Sequence, residues 1–160
     1  MKRTLAGLLI LLSLALMACM AQAPATVGTS PAETALRDFF QALSVGDYET
    51  AAALYGGSYD TLRAMNPSCD PNDPAALWRA GCEMNSLVCL PVSRVLEAQT
   101  LSESETLFAV EFLEKDGTVF ILGPCCGAEE SATAPLSAFE LRVRTQDGFS
   151  RIVDMPALIP

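Results

Sequence analysis

The period of the apolar residues changes near Pro91, and this change constrains the fold of the chain more than any other feature in it. Before Pro91 hydrophobic residues recur at helical spacing; after it they alternate. Ser30-Pro31-Ala32-Glu33 supplies a serine cap, a proline at the first helical position and a glutamate three residues after the cap, and Leu36, Phe39, Phe40 and Leu43 follow on one face as far as Gly46. Asp47 is placed to cap a second helix through Tyr48, Ala51, Leu54 and Tyr55, with Gly56-Gly57 to stop it. Ser58 starts a short third piece reaching Met65, Asn66-Pro67 breaks it, and Asp73-Pro74 opens a fourth that carries Leu77 and Trp78 toward Cys82. Beyond Pro91, strands are predicted over Val92 to Ala98, Thr106 to Leu113, Thr118 to Leu122, Leu136 to Thr145 and Phe149 to Val153. Asp116-Gly117 and Asp147-Gly148 mark tight hairpins between them, so the pairing is antiparallel. The expectation is an α+β domain, with N-terminal helices packed on a curved antiparallel sheet of four to five strands.

Lys2 and Arg3 precede an almost unbroken apolar run from Leu5 to Met17, the layout of a secretory signal. The run is too short to cross a bilayer, which takes about 20 apolar residues. Leu16-Met17-Ala18-Cys19 resembles the lipobox of bacterial lipoproteins, with Met17 the less usual letter. Ala21-Gln22-Ala23 resembles an ordinary small-x-small cleavage site, but Pro24 directly after the cut makes it a poor substrate. The expected organisation is therefore a signal peptide over residues 1–18, lipidated Cys19 with a flexible linker over 19–30, and a single domain over 31–160. Lipidation requires a cysteine because a thiolate attacks the lipid donor and leaves a thioether. Each buried CH₂ contributes about 0.8 kcal/mol, so stable anchoring takes two or more acyl chains of the palmitate type. This places the domain outside the cytoplasm, tethered to the bacterial cell membrane or outer membrane. The alternative is that Cys19 is discarded with the leader.

Losing Lys2 and Arg3 leaves eight basic against nineteen acidic residues, a net charge of −11. That balance excludes nucleic acid as a partner and repels anionic lipid headgroups, so contact with the membrane is expected through the lipid anchor alone. The acidity otherwise reads as a solvated surface, with a cationic ligand as the sharper alternative. The chain has no histidine, which excludes an Asp-His pair, a Ser-His-Asp triad and an imidazole metal site. There is no phosphate-binding glycine loop either, and no cofactor is implied.

Lipidation of Cys19 leaves five of the six cysteines, Cys69, Cys82, Cys89, Cys125 and Cys126, in an oxidising compartment. Five cysteines admit about fifteen ways to form two bridges and one spare thiol. The expected set joins Cys69 to Cys82 and Cys89 to Cys125 or Cys126, with the spare thiol in that adjacent pair. Closing the longer loop of about 36 residues would contribute roughly 3 to 4 kcal/mol. A redox-active adjacent pair and a metal-thiolate site are the alternatives, although no spacing is C-x-x-C.

Ala35-Leu36-Arg37-Asp38-Phe39-Phe40-Gln41-Ala42-Leu43 and Gly46-Asp47-Tyr48-Glu49-Thr50-Ala51-Ala52-Ala53-Leu54-Tyr55 resemble the nuclear transport factor 2-like superfamily. The likeness covers residues 31–155 in element order and the first two helices in letters. It implies a cone formed by helices and a strongly curved sheet, used by members as an enzyme pocket, a ligand cavity or a packed core. An isomerase- or hydrolase-like use would draw on Tyr48, Tyr55 and Tyr59 beside the cone, and on Glu111, Glu140 or Asp154 as a base. Alternation puts Phe108, Val110 and Phe112 on the face opposite Glu111, so Glu111 is expected to point to solvent. A cone filled by Phe40, Leu54, Trp78, Phe108, Phe112 and Phe139 would favour a scaffold, and an open one with convergent carboxylates or tyrosines would favour chemistry. The favoured expectation is a non-catalytic domain that binds a small molecule or another envelope protein.

Overall fold

A computed structural model of the chain describes residues 29–123 and 134–159. The signal peptide, Cys19, the linker as far as Gly28, and Cys125 and Cys126 lie outside the described residues.

Helix α1 spans Pro31–Val45 and is closed at both ends by the residues that predict it. Ser30 Oγ accepts the Glu33 N–H at 3.1 Å, and Glu33 pairs with Arg37 one turn on at 2.8 Å. Gly46 leaves the helix in the left-handed region at φ 78°, where only glycine sits without strain. Asp47 then caps α2 (Tyr48–Leu54) through the Thr50 N–H at 3.1 Å, and these bonds hold its carboxyl below the usual value. The glycine pair does not stop α2 as expected. Tyr55 has already turned extended and bridges Ile152 in parallel, and the Gly56 N–H donates to Ile152 O at 2.7 Å, so the sheet takes over the chain first. Gly57 serves close approach instead: a Cβ there would collide with Val153 O. Two further helices follow, α3 (Asp60–Met65) and α4 (Pro74–Met84), the latter capped by Asp73 through the Ala76 N–H.

The sheet is an antiparallel meander of β1 (Val92–Thr100), β2 (Glu105–Phe112), β3 (Phe139–Gln146) and β4 (Phe149–Ile152). Asp147 and Gly148 connect β3 to β4 with φ 53° and 79°, the pair of positive values that a two-residue hairpin needs. Lys115, Asp116 and Gly117 also form a tight turn, but Thr118 to Leu122 makes only the bridges Leu113↔Val119 and Leu122↔Leu136. β3 pairs with β2 only as far as Val110, and the returning arm takes the short remaining edge: the Phe120 N–H donates to Phe112 O at 3.0 Å. The described sheet therefore has four strands. Register shifts at Val92/Arg94 and Val95/Glu97 bend β1, which forms an edge.

Helices and sheet share one core. Phe39, Phe40, Trp78, Phe108 and Phe112 are fully buried, with Tyr55, Phe120 and Phe139 nearly so. Their rings touch in series: Trp78 meets Tyr55 and Phe39 edge-on at 4.9 and 5.4 Å, Phe40 meets Phe112 at 4.7 Å, and Phe112 meets Phe139 at 5.3 Å. Leu54 packs against this cluster from its margin. The space between helices and sheet is thus filled with side chains.

The disulfide differs from the expected pairing. Cys82 bonds Cys89, with Cα atoms 5.7 Å apart, so neither a Cys69–Cys82 bridge nor one from Cys89 to Cys125 or Cys126 forms. The chain reverses after α4 through Asn85 and Ser86, the latter at φ 55°, and lays Leu87 over Gly81. That reversal brings Cys89 back against Cys82. Cys69 lies in the α3–α4 connection, half-buried and a free thiol among the described residues. Residues 155–159 close the domain as a strap: Val88 N–H donates to Ala157 O, and Ile159 N–H to Ser86 O, each at 2.8 Å.

Candidate functional site

The three tyrosines border the helix–sheet interior, and each hydroxyl is already engaged. Tyr55 donates to Ser58 O at 3.1 Å and Tyr48 to Glu83 at 3.2 Å. Tyr59 donates to Ala52 O at 3.5 Å and accepts the Trp78 indole N–H at 3.2 Å. Burial raises all three phenols, and Tyr55 is pushed up to about 12 by burial and by the neighbouring Tyr59 and Asp154. Such a phenol keeps its proton at neutral pH and does not act as a base.

Glu111 and Glu140 lie on the opposite, outer face of the sheet, and Asp154 lies just beyond β4. Alternation along β2 and β3 sends Phe108, Val110, Phe112, Phe139, Leu141 and Val143 to the core. Glu105, Glu111 and Glu140 then face outward with Arg142 and Arg144. Glu111 pairs with Arg94 at 3.0 Å, and Glu105 with Arg144 at 2.7 Å, each directly across the ladder. Asp154 accepts the Arg142 backbone N–H at 2.8 Å together with its guanidinium. Burial alone would raise Asp154, but the hydrogen bonds from Arg142 outweigh it and hold the carboxyl below its usual value. Glu140 has no such arginine: among the described residues it makes no ion pair or hydrogen bond. Of the six candidate acid–base groups, Asp154 and Tyr55 are neighbours, but Asp154 is held by Arg142 and Tyr55 by Ser58, and only Glu140 lines the cavity below.

An open cavity of about 540 Å³ lies where the start of β3, the end of β2 and the C-terminal strap meet. Among the described residues its walls are apolar, from Phe112, Leu136, Phe139, Leu141 and Met155, with Glu140 the one charged residue on them. Ala109 and Glu140 also line a small cleft of about 40 Å³ on the outer face, walled by Glu97, Gln99 and Leu107. The register explains this cleft: Glu97 on β1 stands opposite Ala109 on β2, and Ala109 stands opposite Glu140 on β3. Glu140 was a sequence candidate; Glu97, Ala109 and the strap residue Met155 were not. The one sequence signal for the cleft is Ala109, a small residue at an outward position of a strand otherwise built of large ones.

Among the described residues no group of three or more His, Cys, Asp or Glu side chains is arranged to hold a metal ion. No described helix is long and apolar enough to cross a membrane. No protein-family model matches the chain, and no curated protein is similar to it in sequence at a significant level.

Proposed function

We propose that this chain is an extracytoplasmic bacterial lipoprotein of nuclear transport factor 2-like architecture, held to the cell membrane or outer membrane by acyl chains on Cys19. Its domain binds a small molecule or another envelope protein and catalyses no reaction. The observation that carries the binding reading is the contrast between interior and surface. The interior is filled by interlocked aromatic rings, with its tyrosine hydroxyls committed, while the cavity of about 540 Å³ opens outside it and has apolar walls. An isomerase- or hydrolase-like enzyme needs a base and an acid facing one substrate. Here Glu111 and Asp154 are each held by an arginine, and Tyr48, Tyr55 and Tyr59 line no part of that cavity. The thiol-redox alternative rests on the adjacent pair Cys125 and Cys126, which lies outside the described residues.

The anchor is supported by the order of charged start, apolar run and Leu16-Met17-Ala18-Cys19. Cys19→Ala expressed in a bacterial host should lose incorporation of labelled palmitate and move from the membrane pellet to the soluble fraction. Unchanged retention in the pellet overturns the lipoprotein assignment.

A further inference from the structure

We propose that one end of the domain rests on the bilayer, with Phe149 seated among zwitterionic lipid headgroups beside the point where the chain leads back to Cys19. The proposal rests on the reading of Cys19 as a lipid anchor and adds a second contact to it. Asp147 and Gly148 turn β3 into β4, and Phe149 follows them, 69% exposed. It is the one aromatic ring among the described residues that lies largely in solvent. The Thr145 N–H donates to Ser104 O at 2.7 Å, so the β1–β2 turn stands beside this hairpin and brings Leu101, 46% exposed, to the same end of the sheet. The first described residues arrive there too: Thr29, Pro31 and Thr34 share a shallow groove of about 320 Å³ with Gly148 and Phe149.

The place of entry decides what covers this end. Cys19 lies ten residues before Thr29, a reach of at most about 36 Å. A domain of about 120 residues is about 35 Å across. Turning the far end to the bilayer would draw that segment out straight, whereas the Phe149 end meets the surface with chain to spare. Acyl chains on Cys19 also hold this end near the lipid at an effective concentration of about a millimolar. A contact too weak to recruit a free protein is then populated, because the anchor has already offset the freedom lost on association. Phenylalanine and leucine are side chains that interfacial segments bury about 5–10 Å into the boundary between headgroups and acyl chains. Charge selects the lipid. Asp38, Glu103 and Asp147 are exposed at this end, and Arg144 is taken up by Glu105, which leaves Arg151 as the unpaired cation beside Phe149 among the described residues. Carboxylates in excess repel an anionic surface, so the partner is a zwitterionic one, of the phosphatidylcholine or phosphatidylethanolamine kind.

The test is fluorescence quenching of the full lipidated chain on phosphatidylcholine vesicles, with and without bromine near the headgroup end of the acyl chains. Trp78, the single tryptophan, is fully buried and out of contact with lipid bromine. Phe149→Trp adds an indole at the proposed contact. Val45→Trp adds one at a site 66% exposed, at the other end of α1, about 21 Å along the helix from Pro31. The emission added by Phe149→Trp should lose most of its intensity on the brominated vesicles, and that added by Val45→Trp none. Replacing part of the phosphatidylcholine by phosphatidylglycerol should weaken the quenching. Amide exchange of the unaltered chain decides the matter without a substitution at the contact: residues 101–104 and 147–150 should exchange more slowly on vesicles than in soluble Cys19→Ala. Absence of quenching in Phe149→Trp, or of this slowing, on a chain that floats with the vesicles overturns the contact and leaves the anchor standing. Equal quenching of both variants overturns the orientation, and stronger quenching on phosphatidylglycerol overturns the zwitterionic partner. A purified chain without acyl mass on Cys19 brings down both readings.

Discussion

Asp154 shows how one side chain ties the end of the chain to the sheet and how that tie should respond to acid. It lies just beyond β4 and takes both the backbone N–H and the guanidinium of Arg142, twelve residues earlier. Because its folded pKa is depressed, the stability it contributes is present above the unfolded value, near 3.8, and is lost as pH falls through the lower folded value. Discounted for solvent around a partly exposed pair, the contribution is about 1 kcal/mol. Asp154→Asn should therefore lower the urea midpoint by that equivalent at neutral pH, and the loss should shrink as pH falls below the unfolded value. A loss that does not shrink with falling pH would mean that the effect is steric. The sequence offers Asp154 only as an acid on a strand end, and its role depends on a partner that the β3–β4 hairpin brings to it.

At the scale of elements, local rules worked where ends are closed by neighbours in sequence. Ser30, Asp47 and Asp73 cap their helices as read, and Asp147-Gly148 makes its hairpin. They failed where a distant element competes: α2 ends early because β4 captures Tyr55, and Thr118 to Leu122 makes bridges rather than a ladder because β3 leaves it only the end of β2 beyond Val110. The disulfide failed in the opposite way, being more local than expected. A bridge across seven positions contributes about 2.5 kcal/mol by loop entropy, less than a long loop would. Its effect is placed by what it joins: the last turn of α4 is bound to the segment that pairs with the C-terminal strap. Cys82→Ser together with Cys89→Ser should lower Tm by roughly 8 °C. The loss should not be reproduced by Cys69→Ser, whose thiol is free among the described residues. A larger loss from Cys69→Ser, in a differential scan of the three proteins, would return the bridge to the pairing first expected.

For the molecule as a whole, the switch of period at Pro91 carries the architecture, because an amphipathic helix pair and an alternating meander each need the other's apolar face. The cavity was not legible in the same way. It is assembled from the end of β2, the start of β3 and the strap, three stretches whose proximity follows only from strand register and from the chain's return to Val88. One core also implies one cooperative unit. Trp78, the single tryptophan, is fully buried against Phe39, Tyr55 and Tyr59, on the helical side of the core. Phe40 carries the contact across to Phe112 in the sheet. Helices that melted apart from the sheet would have to expose both sides of this aromatic seam, which burial of apolar area opposes. In urea, the red shift of Trp78 emission and the loss of far-ultraviolet circular dichroism should therefore share one midpoint and one slope. A fluorescence midpoint clearly below the dichroism midpoint would show that the helical layer unfolds first, and that the seam from Phe39 through Phe40 to Phe112 does not couple the two layers.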